Sequence, residues 1–401
     1  MRRVEVAVVG AGPAGLFAAL EAVKKGVEVT VFEEHPLIGE PNHCAGILSM
    51  EGLSRLGVEP SEDFIQHEIK GGRIYSPIGT AIEMPGKRVH AYVVDRTAFD
   101  RYLAEISEDA GVRIETDRRV RGLVTENMRV VGVQGRDWSI GSKIVIDAEG
   151  AGGSLARKVG YTSQMDGVLA GVNAEVSEEL EPNMVEVWLG SNLAPGLFAW
   201  VIPFGEKRAR CGLACNAGDP FERLKAFLQT RFGRVQCFQP RRGVVLTSGP
   251  VRRTYLDGML LVGDTAGQTK PTTGGGVILG GLCAQEAGRT AAEAVEASDY
   301  SSNFLQRYQR AWRSSFNREF TSMIAARRLL NRLSDRSIDG IFNALKVEGL
   351  EGVLLSMVDE GDMDMQSEVI RSALNDPRVR GVIMRGVGRF ALGELKRLFN
   401  I

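Results

Sequence analysis

Val4-Glu5-Val6-Ala7-Val8-Val9-Gly10-Ala11-Gly12-Pro13-Ala14-Gly15 decides how this chain is read. Val4 to Val9 is short, apolar and rich in β-branched residues, the composition of a buried strand. A G-x-G-x-x-G turn follows at once, Leu16 to Lys25 can run as a helix, and a second apolar run from Val27 ends on Glu33. Strand, glycine turn, helix, strand and acid together are the sequence of a dinucleotide-binding unit. Gly10 permits the tight turn, Gly12 lets backbone N–H groups approach a pyrophosphate, and Gly15 lets helix and strand pack closely. The helix N-terminus turns its positive end to the phosphates. Glu33 is placed to accept hydrogen bonds from adenosine ribose hydroxyls.

Bulk properties narrow the rest. A chain of 401 residues can bury two or three cores. A formal net charge of -1 gives no support to a nucleic-acid partner. Glycine, at 48 of 401 residues, exceeds the usual share of ~7%. The glycines are scattered among apolar runs, which fits tight turns beside a large cofactor. Five cysteines, Cys44, Cys211, Cys215, Cys237 and Cys283, form no C-x-x-C pair. That argues against a disulfide framework and against a zinc or iron–sulfur centre, so reduced thiols in a cytoplasmic protein are expected and no metal ligands are assigned. A core strand beginning at Val4 leaves no room for a signal peptide, and no apolar run approaches the ~20 residues of a membrane span.

Further along, Pro41-Asn42-His43-Cys44-Ala45-Gly46 lies in a loop rich in proline and glycine. A buried cysteine in a turn is its plain reading, and backbone lying against a flat ring is the functional one. Residues 53 to 90 read as short strands with turns, and Asp95 or Thr97 caps a helix beginning near 95. Arg118 to Val124 reads as a strand, and Ile144-Val145-Ile146-Asp147 as a buried strand ending in an acid and Gly150. From about 161 alternating strands, 167–176, 184–189, 198–203 and 208–215, indicate an antiparallel sheet. Met259-Leu260-Leu261-Val262 then runs into Gly263-Asp264, and Gly274-Gly275-Gly276 opens a helix from Val277. Three successive glycines are costly unless something approaches the backbone, and Asp264 is placed to hold a polyol hydroxyl. Residues 301–401 carry apolar positions at helical spacing. The stretch Arg378 to Ile401 interleaves arginines and lysine with apolar residues, which reads either as core plus solvated face or as a surface for an anionic membrane.

The N-terminal unit, Asp147-x-x-Gly150 and Gly263-Asp264 together resemble glutathione-reductase-type FAD proteins of the aromatic hydroxylase branch. Asp95-Arg96-x-x-Phe99-Asp100 is similar to a motif of that branch whose arginine reaches the cofactor. Within it the chain looks most like the geranylgeranyl reductases, especially the archaeal digeranylgeranylglycerophospholipid reductases. Three stretches carry the likeness: Lys270-Pro271-Thr272-Thr273-Gly274-Gly275-Gly276, Pro41-x-x-Cys44-Ala45-Gly46, and Pro195-Gly196-Leu197-Phe198-Ala199-Trp200-Val201-Ile202-Pro203. The last departs from the family's P-x-x-Y-x-W-x-F-P at Phe198 and Ile202, which puts the identity of the bound prenyl chain in doubt. It is also similar to the W-x-W-x-I-P of flavin halogenases, from which it departs at Phe198.

The resemblance implies an α/β fold: a discontinuous Rossmann-like FAD domain (1–52, 91–160 and 248–298), an antiparallel-sheet substrate domain (53–90 and 161–247) and a helical region (299–401). It implies FAD contacts from Gly10, Gly12, Ala14, Gly15 and Glu33, from Cys44, Ala45, Ile47, Arg96 and Val120, and from Asp264, Gly275, Gly276 and Val277. Phe198, Trp200 and Pro203 would face the substrate, and Cys44 is the candidate for proton delivery or a packed thiol. The implied activity is saturation of geranylgeranyl C=C bonds in archaeal membrane lipids by hydride from reduced flavin. With no second G-x-G-x-x-G unit, electrons would come from an external carrier such as ferredoxin or NADPH. Three alternatives stay open: a flavin monooxygenase or halogenase, a flavoprotein passing electrons to quinone, and a protein that keeps FAD as a structural element. The expected location is cytoplasmic, with peripheral membrane contact as the second possibility.

Overall fold

The computed structural model describes residues 2–161, 166–233 and 237–387. The first strand, Arg3–Val9, pairs in parallel with Val29–Phe32 on one side and Ser139–Asp147 on the other. The latter pairs in parallel with Met259–Leu261, and Val29–Phe32 with Arg113–Glu115. Near-continuous apolar runs suit this arrangement, because a parallel sheet is covered on both faces. Val6, Val8, Ile144 and Ile146 are fully buried in one core, Ala7 and Val145 in another on the opposite face. Each such valine or isoleucine side chain contributes about 1.5–3 kcal/mol by leaving water.

Pro13–Val23, with proline in its first turn, packs against Val277–Ala297. The fit is tight: a Cβ on Gly288 would stand 2.2 Å from the carbonyl oxygen of Ala18. This contact carries the late glycine loop back to the N-terminal turn.

The antiparallel expectation is met in most of a seven-stranded sheet, in the order Cys237–Leu246, Val168–Val176, Ala209–Cys215, Ala199–Pro203, Met184–Trp188, Gly71–Tyr75 and Ala81–Met84. One pairing departs from it, Met184–Trp188 running parallel to Gly71–Tyr75. A small third sheet joins Ile47–Ser49, Ala91–Val94 and Ile65–Ile69. Beyond it the chain is helical from Ser302–Leu330 to Pro377–Val387. The fold class read from the sequence is the one observed: an α/β fold with a parallel core sheet, a second, mostly antiparallel sheet and a C-terminal helical region.

Two local readings are corrected. Residues 53–56 are not strand but the end of a helix, Met50–Leu56. Ser49 caps it by accepting a hydrogen bond from the Gly52 N–H at 2.9 Å, and Leu53 and Leu56 are buried. Arg118 to Val124 is not one strand; pairing begins at Gly122. Before that, the Arg118 N–H is taken by the Glu33 carbonyl, and the chain crosses the edge of the cleft described next.

Candidate active site

At the carboxyl ends of the parallel strands opens a cleft of about 1010 Å³, at the upper end of the ~300–1,000 Å³ range of small-molecule sites. Its floor is the glycine turn. Gly10 has φ +100°, and a Cβ there would meet the Ala148 carbonyl oxygen at 2.5 Å. A Cβ on Gly15 would stand 2.0 Å from the Gly10 oxygen, so helix and turn touch backbone to backbone. Gly12, Gly150 and Gly152 have open space where a side chain would project, and all three border the cleft. These glycines form a cradle that side chains would fill, which fits an extended dinucleotide.

Glu33 stands at one end. Its carboxylate accepts from the Ala11 N–H at 2.8 Å and the His35 N–H at 2.9 Å, and the His35 ring nitrogen Nδ1 lies 2.7 Å from Oε1. Two carboxylate oxygens offer about four acceptor positions, so capacity for a ribose hydroxyl is left. Cys44 and Arg96 also line the cleft. Arg96 makes a two-pronged bond to Asp100 at 3.0 and 3.1 Å and reaches the Cys44 thiol. Burial disfavours its charge, but Asp100 and Cys44 outweigh burial and hold the guanidinium above its ordinary pKa. Asp264 lies deep: burial pushes its carboxyl up, opposed by the nearby Arg96 charge. A Cβ on Gly276 would be 2.8 Å from the Asp264 Oδ1. Four separate stretches, around 44, 96, 264 and 276, therefore converge.

Of the residues singled out in the sequence, Gly10, Gly12, Glu33, Cys44, Arg96 and Val120 line the cleft. Ala14 and Gly15 lie behind its floor, and Ala14 faces Gly263. Ala45 and Ile47 continue the cysteine loop into the small sheet, while Gly275, Gly276 and Val277 form the start of the late helix. Phe198, Trp200 and Pro203 do not border the cleft. They stand on the antiparallel sheet, the Phe198 and Trp200 rings edge to face at 6.1 Å in a patch with Leu169, Leu197 and Val245. Val245 joins this patch to the glycine loop: a Cβ on Gly274 would stand 2.2 Å from it.

Several positioning residues gave no sequence signal. Donors from the antiparallel sheet hold three carbonyls of the cysteine loop: Arg241 to Asn42 at 3.0 Å, Asn173 to His43 at 2.8 Å, and Arg210 to Ala45 at 3.3 Å. The Asn173 oxygen in turn accepts from the Trp200 indole at 2.8 Å. Gly212 makes room for that pair, since a Cβ there would lie 2.5 Å from both Asn173 Oδ1 and the Trp200 ring. The glycine loop is held from the C-terminal region, by a helix and by the connection between two others. Arg327, buried, donates to the carbonyls of Pro271 at 2.9 Å, Gly196 at 3.2 Å and Thr272, and burial pushes its pKa down to about 10. Lys270 pairs with the buried Asp364 at 2.6 Å, which also accepts from Ser49.

Of the basic amphipathic stretch, 388–401 lies outside the described residues, so Arg389, Phe390, Leu395, Lys396, Arg397 and Phe399 are not placed. No helix among the described residues is long and apolar enough to cross a membrane.

Comparison with known proteins agrees with this geometry. Residues 3–294 match the family described as FAD binding domain. A digeranylgeranylglycerophospholipid reductase of Methanococcoides burtonii is 35% identical over 88% of this chain and 90% of its own length. One from Methanopyrus kandleri is 34% identical over 86% and 91%. A crystal structure from Thermoplasma acidophilum, titled geranylgeranyl bacteriochlorophyll reductase-like, superposes over 100% of both chains with a TM-score of 0.85 and 26% identity. A flavin-dependent brominase, 17% identical with a TM-score of 0.69 over 93% of this chain and 98% of its own, shares the fold. The chain carries an FAD-binding domain and belongs to the digeranylgeranylglycerophospholipid reductase family of FAD-binding oxidoreductases.

Proposed function

We propose that this protein is an FAD-dependent reductase that saturates the C=C bonds of geranylgeranyl chains in archaeal-type membrane lipids. What carries the reading is the 35% identity, over 88% of the chain, to a reductase named for that substrate. FAD, when bound, supplies the hydride. The chain supplies the rest. The Gly10–Gly15 turn and Glu33 hold the ADP end, and Asp264 with the start of the late helix holds the other. An unactivated alkene is electron-rich, so a proton must reach the second carbon with or before the hydride. Cys44, against the Arg96 guanidinium in the cleft, is the group assigned to that neighbourhood. The Phe198–Trp200 patch offers the apolar wall a C20 chain requires. Electrons arrive from an external reduced carrier, ferredoxin or NADPH being the two classes considered.

The test is anaerobic. The purified yellow protein is reduced with dithionite and mixed with digeranylgeranylglyceryl phosphate while flavin absorbance and product mass are followed. Reoxidation of the flavin with mass gains in steps of two hydrogens is expected. A flavin that stays reduced until air is admitted would transfer the assignment to oxygen-using chemistry of the hydroxylase or halogenase kind.

A further inference from the structure

Beyond the cysteine loop lies a second cavity, of about 500 Å³. Glu40, Pro41, Asn42 and His43 are its common wall with the first cleft, and Thr97, Arg241 and Arg242 complete it. The charges of this wall do not balance. Arg242 is paired with Asp219 at 3.2 Å and stacked on Phe221, and Glu40 is paired with Arg101 at 2.8 Å. Arg241 bonds only neutral oxygens, the Asn42 carbonyl at 3.0 Å and the Gln239 side chain at 3.4 Å. No carboxylate among the described residues forms an ion pair with it. A guanidinium carries five N–H donors in a planar fork, so most of this fork is unused. At the cavity rim the His43 imidazole is held below its ordinary pKa, by partial burial first and then by the charges of Arg241 and His35. The cavity is thus electropositive, with an imidazole beside it whose charged form is held down by the neighbouring positive charges as well as by burial.

We propose that this cavity is a subsite for a phosphate monoester, received by the fork of Arg241 with His43 as the second donor. Paired N–H donors at fixed spacing match phosphate oxygens, and charge-assisted bonds of this kind are the strong ones. For the substrate chemistry the inference rests on the lipid-reductase reading: the phosphate end of the lipid sits on one side of the loop that carries Cys44, and the chains are worked on from the other. Arg241 also holds the Asn42 carbonyl of that loop, so an occupied subsite acts directly on the backbone two residues before Cys44.

The test uses the flavin-loaded protein and has two arms. In the first, the four histidines are resolved by NMR, His43 is assigned with His43→Gln, and inorganic phosphate is titrated against chloride at constant ionic strength. Phosphate is expected to raise the His43 pKa, and Arg241→Gln to remove the rise. No phosphate-specific shift, or the same shift in Arg241→Gln, overturns the subsite. In the second arm dithionite-reduced enzyme is given the phosphorylated lipid or the corresponding neutral alcohol. Arg241→Gln is expected to raise KM for the phosphorylated lipid at least tenfold more than for the alcohol. Equal effects on both, with the NMR shift present, would mean that the cavity takes free phosphate and would overturn its assignment to the lipid headgroup. Wild-type enzyme that reduces neither lipid would sink the reductase reading instead, and the NMR arm would still decide the subsite.

Discussion

The Trp200 indole N–H donates to Asn173 Oδ1 at 2.8 Å, and the same amide donates to the His43 carbonyl at 2.8 Å. One side chain therefore fixes the aromatic wall and the cysteine loop relative to each other. Asn173→Leu leaves the partly buried indole N–H without a partner, at a cost of about 1–3 kcal/mol, and removes the tether on the exposed His43 carbonyl. Lipid turnover is expected to fall at least tenfold, with flavin content unchanged. Asn173→Asp separates the two bonds, because a carboxylate still accepts from Trp200 but cannot donate to His43. If Asn173→Asp turned over like the wild type, only the Trp200 bond would matter.

Gly15→Ala should yield protein without flavin. Its Cβ would stand 2.0 Å from the Gly10 oxygen, a contact no rotamer relieves, so the helix must move off the phosphate-binding turn. The expected result is loss of the 450 nm band, with far-UV circular dichroism close to wild type. A Gly15→Ala protein that retained full flavin would refute the close-packing argument.

Arg327 ties the glycine loop to Gly196 through three backbone carbonyls. Hydrogen bonds to charged groups contribute about 1.5–3 kcal/mol each. Arg327→Met is therefore expected to lower the thermal midpoint by several degrees and to weaken FAD binding, measured by equilibrium dialysis. Arg327→Lys, with one ammonium in place of a fork, should fall between the two. Unchanged FAD affinity in Arg327→Met would remove the buttress role.

Asp147 is fully buried, and its Oδ2 has no hydrogen-bond partner. Burial first, and the Glu149 charge next, hold its carboxyl well above the ordinary 3.8. The unfolded chain releases this proton near 3.8, whereas the native chain keeps it to higher pH. The native state then binds more protons, and stability falls as pH rises through that window, by up to about 1.4 kcal/mol per unit. Asp147→Asn removes the effect, so its gain in thermal midpoint over wild type should be larger at pH 8 than at pH 5. A gain independent of pH would show that Asp147 is already ionised in the fold.

Much of the architecture was legible because its signals are local. The Val4–Gly15 turn, the Gly263-Asp264 strand end and the Gly274–Gly276 helix start each declare themselves within a dozen residues. Hydrophobic period and glycine conformation are properties of neighbours in the chain. The helix at Met50–Leu56 was hidden in a short stretch whose apolar spacing suits either period. Pairing at Gly122 was decided by the Glu33 carbonyl, which takes the Arg118 N–H from 85 residues away.

The sequence by itself determined that the chain builds an FAD-binding α/β fold and which family's motifs it carries. Only the tertiary structure decided how the cysteine loop and the glycine loop are held. Asn173, Arg210 and Arg241 reach the first across more than 100 residues, and the second is reached by Arg327 from a C-terminal helix and by Asp364 from the connection between two others. An asparagine in a strand or an arginine in a helix is ordinary until its partners are known. Hydrogen bonds to backbone carbonyls leave no pattern in the residues that accept them, so the parts of the site that depend on such bonds become visible only once the chain is folded.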